Sequence, residues 1–81
     1  MRACMKETFA EFEQKARFVW LRLFPMLMEA TGGDIQSAAY ERCEDTETVV
    51  VEFADGHSQR VGVGGSLMDI ARDVMEAVRC A

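Results

Sequence analysis

A histidine close to a carboxylate is the simplest beginning of an acid–base pair, and the only histidine in these 81 residues, His57, follows Asp55 and Gly56. A catalytic imidazole needs that orienting carboxylate, and it also needs a nucleophile or bound substrate within hydrogen-bond reach. Asp55 meets the first requirement. Turn composition, however, explains Asp-Gly-His equally well. The turn accounts for these residues without catalysis.

Thiol chemistry is the next possibility. Cys4, Cys43 and Cys80 are three in number, far apart and without C-x-x-C spacing. A disulfide framework is therefore not expected. A zinc site would have to draw on all three together with His57, from four separate elements and without the local pairing that pre-forms such sites. Buried or incidental thiols are the simpler reading. Gly62-Val63-Gly64-Gly65-Ser66 precedes a helical pattern, and helix N-termini attract phosphate. The segment lacks the lysine and spacing of a P-loop, and it does not give G-x-G-x-x-G within a βαβ unit. A strand-to-helix turn with an N-cap is expected there. No catalytic residue, cofactor or metal is assigned, and the chain is expected not to be an enzyme.

Composition bounds what remains. Apolar residues make up 49% and charged residues 28%, which argues for a folded chain and against wholesale disorder. At this length, with neither repeats nor a Ser/Pro-rich linker, a single domain over residues 1–81 is expected. The unpaired cysteines, and a first segment without the apolar run of a signal peptide, lead us to expect a reducing cytoplasmic setting. Phe18 to Met28 is apolar-rich, but it is only about half a membrane span and contains Arg22 and Pro25. No membrane association is expected.

The net charge of −5 is local. Residues 1–33 carry five bases and four acids, and residues 56–81 carry three of each. Between Glu41 and Asp55 six acids face the single base Arg42. Direct nucleic-acid binding needs clustered Lys and Arg and is not expected. Glu41, Glu44, Asp45 and Glu47 are instead candidates for meeting a basic protein, against the plainer reading of a charged sheet edge that resists aggregation.

The elements that carry these residues can be read from periodicity. Phe9, Phe12, Ala16, Val19, Leu23 and Leu27 recur at helical steps, so a helix is expected from Met5 to Thr31, with Thr8 and Glu11 as a capping box and Gly32-Gly33 as its stop. Pro25 should kink it, or break it and begin a short second helix. Strands are expected over about Ile35–Cys43, Glu47–Ala54 and Ser58–Gly64. A three-residue loop, Ala54-Asp55-Gly56, would pair Val49 with Val61, Val51 with Gln59 and Phe53 with His57, and so gather Val49, Val51, Phe53, Val61 and Val63 on one face. A second amphipathic helix should run from about Leu67 to Arg79, opened by Ser66 and Asp69. The fold class is α+β: an α-β-β-β-α domain whose three-stranded antiparallel sheet carries both helices on one face.

The first helix has more apolar surface than one sheet face can cover. Phe18, Trp20, Leu21, Phe24, Met26 and Met28 make its second half apolar nearly all round. Part of that surplus can be buried internally, and the remainder would form an interface of aromatic and Met residues. Phe18, Trp20, Leu21, Phe24 and Met28 are therefore the second set of candidate partner-binding residues. Short, acidic and mixed in structure, the chain resembles in format the accessory proteins of phages and mobile elements, including anti-CRISPR inhibitors. That resemblance implies an inhibitor acting through the acidic hairpin. The leading expectation is a protein–protein interaction module, with a homodimeric assembly or chaperone-type subunit as the other form of partner binding.

Overall fold

The computed structural model describes residues 9–80, so the expected cap Thr8 and the thiol Cys4 lie outside the described residues. The order is α1 (Phe9–Phe18), a π-helical turn (Val19–Leu23), α2 (Phe24–Thr31), β1 (Ile35–Cys43), β2 (Thr46–Phe53), β3 (Ser58–Val63) and α3 (Leu67–Cys80). This is the expected α-β-β-β-α arrangement, and the first expected helix is α1, the π turn and α2 run together.

Pro25 neither breaks that helix nor begins it. Its missing N–H and its ring make a normal turn back to the Leu21 carbonyl impossible. The chain widens one turn instead, and the Phe24 N–H donates to the Val19 carbonyl, five residues back. Pro25 is then the second residue of α2, where no intrahelical donor is required of it. The helix ends as expected: Gly32 has φ 70°, and the Gly33 N–H donates to the Met28 carbonyl at 2.8 Å.

The sheet is antiparallel in the order β1-β2-β3. Val49 opposes Val61 and Val51 opposes Gln59, and the Phe53 N–H donates to the His57 carbonyl at 2.8 Å. The three-residue loop is the one present, with Gly56 at φ 100°. Between β1 and β2 the turn is Glu44-Asp45, and Glu44 adopts φ 57°. An irregularity between Ile35 and Ser37 shifts the β1–β2 register.

Alternation then sorts the sheet. Ile35, Ala38, Tyr40, Val49, Val51, Phe53 and Val61 are buried, and they form one core with Val19, Leu23 and Leu27 of the first helix and Ile70, Ala71, Val74 and Val78 of α3. The opposite face, with Ala39, Glu41, Glu52 and Arg60, is exposed. At the start of α3, Ser66 Oγ accepts from the Asp69 N–H and Asp69 Oδ2 accepts from the Ser66 N–H, each at 3.2 Å, which is the expected capping box. Gly65, at φ 85°, leaves room for it, since a Cβ there would lie 2.7 Å from Asp69 Oδ2.

Candidate interaction surface

The outer side of the first helix is built by a simple conflict. Val19, Leu23 and Leu27 follow one another at four-residue steps and are fully buried. Everything apolar between them must point elsewhere. Phe18, Phe24 and Met28 lie on the flanks and pack partly against the core. Trp20, Leu21 and Met26 do not: they are 53%, 59% and 43% exposed. Trp20 and Phe24, one turn apart, stack with ring centroids 5.3 Å apart and planes within 11° of parallel. On the other flank Leu21 and Phe18 border a surface hollow shared with Gln14, Arg17, Arg22 and Leu67, the first residue of α3. A further large apolar side chain, Met68, is 76% exposed.

The acidic candidates divide. Glu44 and Asp45 form the exposed β1–β2 turn. Glu41 lies on the open sheet face, where Arg60 approaches it to 3.2 Å. Glu47 is on the opposite side, beneath the first helix, with its side chain only 16% exposed. Lys15 Nζ reaches Glu47 Oε1 at 2.9 Å, Tyr40 donates its hydroxyl to the same oxygen at 2.9 Å, and Arg42 Nη1 lies 3.4 Å from Oε2.

This cluster sets its own electrostatics. Burial alone would raise the Glu47 carboxyl, but hydrogen bonds from Lys15 and Tyr40, with the charges of Lys15 and Arg42, outweigh it and hold the group below the usual glutamate range. Tyr40 is pushed up to about 12, first by burial and then by its hydrogen bond to Glu47. Two bases and a phenol thus surround one acid that composition alone assigns to a negative patch. Strand parity was the available signal, because Glu47 shares odd numbering with Val49, Val51 and Phe53 and must face the helices as they do.

No family model matches the chain, and no curated protein and no solved structure is similar to it. Its function must therefore be argued from its own surface.

His57 and Asp55 do meet. Nδ1 of His57 donates to Asp55 Oδ1 at 2.5 Å, and the His57 backbone N–H donates to the same oxygen at 3.0 Å. The second bond is that of an Asx turn, and the imidazole also lies flat on Phe53 with centroids 4.3 Å apart. Asp55 is lowered by the His57 backbone and side-chain hydrogen bonds. The adjoining hollow is lined by Ala30, Thr31, Asp34, Phe53, His57, Val78 and Arg79, none of them a serine or cysteine. Cys43 is exposed, and among the described residues no three His, Cys, Asp or Glu side chains converge where a metal ion could sit. Among the described residues, no helix is long and apolar enough to cross a membrane.

Proposed function

We propose that this chain is a non-enzymatic interaction module that binds a protein partner through the outer face of its first helix. The observation that carries this reading is the exposed set Trp20, Leu21 and Met26, with Trp20 stacked on the half-buried Phe24. Aromatic and Met side chains at this density are typical of interface cores, and Trp is the residue most often found where a few contacts supply most of the binding energy. Leaving them in water forgoes apolar burial that a partner would recover.

The acidic hairpin supports binding less strongly. Glu47 is engaged by Lys15, Arg42 and Tyr40 beneath the first helix and Glu41 is paired with Arg60, so the hairpin presents less unpaired negative charge than its acid count suggests.

Photocross-linking tests the assignment in cells that carry the gene. A photoreactive residue at position 21 is expected to yield a discrete adduct, and one at position 45 is not. Adducts formed only from position 45 would contradict the reading.

A further inference from the structure

The outer row of the first helix is self-complementary. Arg17, Leu21, Pro25 and Glu29 follow one another at four-residue intervals, and all four are exposed. A four-residue step in an α-helix overshoots a turn by about 40°, and the wider π turn at Val19–Leu23 holds more residues and offsets that drift. The row therefore runs straight. It reads cation, apolar, apolar, anion. Turned end for end, the same row presents anion, apolar, apolar, cation.

From this we infer that the occupant of the surface is a second copy of this chain, packed antiparallel about a two-fold axis level with Leu23; the inference rests on the interaction-module reading above. In that arrangement Arg17 of each copy faces Glu29 of the other, and Leu21 faces Pro25. A parallel arrangement would set Arg17 against Arg17 and Glu29 against Glu29, so charge fixes the direction. Trp20 and Phe24 flank the row and are covered by the same contact. A uniformly acidic partner would meet Glu29 and a uniformly basic one would meet Arg17, whereas the reversed row satisfies both ends. Glu29 is free to serve: among the described residues no ion pair involves it, and Arg17 has only the exposed Glu13 at 3.7 Å within its own helix.

Sedimentation of the full chain from micromolar to millimolar concentration tests the inference, with circular dichroism as the folding control. The wild type is expected to show a monomer–dimer equilibrium. Arg17→Glu and Glu29→Arg should each weaken it by about tenfold, because two-fold symmetry reverses two pairs at once. The double variant should restore it to within about threefold of wild type, since both pairs re-form with opposite sense. A wild type that stays monomeric throughout, or a double variant as weak as the singles, overturns the inference. A monomeric chain that still forms an adduct from position 21 with a different protein overturns the second copy and leaves the interaction module standing. A monomeric chain that forms no adduct from position 21 overturns both.

Discussion

Trp20 lies on Phe24 as a stacked pair, 5.3 Å between centroids, on a helix whose inner row, Val19, Leu23 and Leu27, is fully buried. Phe24 packs partly against the core, and Trp20 on top of it stays exposed. A stacked geometry of this kind stabilises the two rings relative to each other, and it also presents a rigid aromatic platform to whatever approaches.

Trp20 is the only tryptophan, so its fluorescence reports this surface alone. The free monomer is expected to give a water-exposed emission that iodide quenches readily. Phe24→Ala should increase that quenching, because it removes the ring on which the indole rests. Association through the first helix should shift the emission to the blue and protect it from iodide.

Tyr40 is likewise the only tyrosine, and its phenol is pushed up to about 12 from an ordinary value of 10.0. The raised value means that the unfolded chain ionises first. The contribution of Tyr40 to stability is therefore complete below pH 10 and is lost as pH rises from 10 towards 12. Tyrosinate absorbance should titrate near 12 in the folded protein and near 10 in denaturant, and Tyr40→Phe should flatten the alkaline limb of the stability profile.

Glu47 behaves in the opposite sense. Its carboxyl is held below 4.5, so its stabilising contribution is present above that value and is lost as pH falls through the lowered folded value. Glu47→Gln should remove this acid limb. Near neutral pH the same change leaves Lys15 and Arg42 without their partly buried carboxylate and should cost about 1–2 kcal/mol in denaturant melts.

These groups also show what the sequence makes legible and why some of it is missed. The hairpin register followed from requiring Val49, Val51, Phe53 and Val61 to share a face, because a one-residue slip would scatter them. Ser66 and Asp69 announced α3 through local chemistry that needs no tertiary context. Pro25 was harder. Sequence signals a disturbance there, but whether the chain kinks, breaks or widens a turn depends on Leu23 and Leu27 being drawn into the same core. Glu47 was legible by parity, and its charge obscured it: local net charge counts an acid wherever it points, while its partner Lys15 lies 32 positions away. The surplus of apolar residues on the first helix was visible as a surplus. Which of them remain exposed depended on where α3 packs.

Glu44 carries a local strain that offers a separate handle on the acidic turn. A β-carbon at φ 57° costs about 1 kcal/mol, and glycine avoids most of that cost. Glu44→Gly should raise the thermal midpoint by a few degrees. A fall in the midpoint would mean that the Glu44 side chain contributes more than its backbone costs.

The central claim is that the outer face of the first helix, and not the acidic turn, does the binding. It is tested most directly by measuring affinity for the species captured from position 21, using wild type, Trp20→Ala and the pair Glu44→Gln with Asp45→Asn. Trp20→Ala is expected to weaken binding by about tenfold or more, while the acidic pair changes it by less than about twofold. Binding that survives Trp20→Ala but collapses with the neutralised turn would contradict the account.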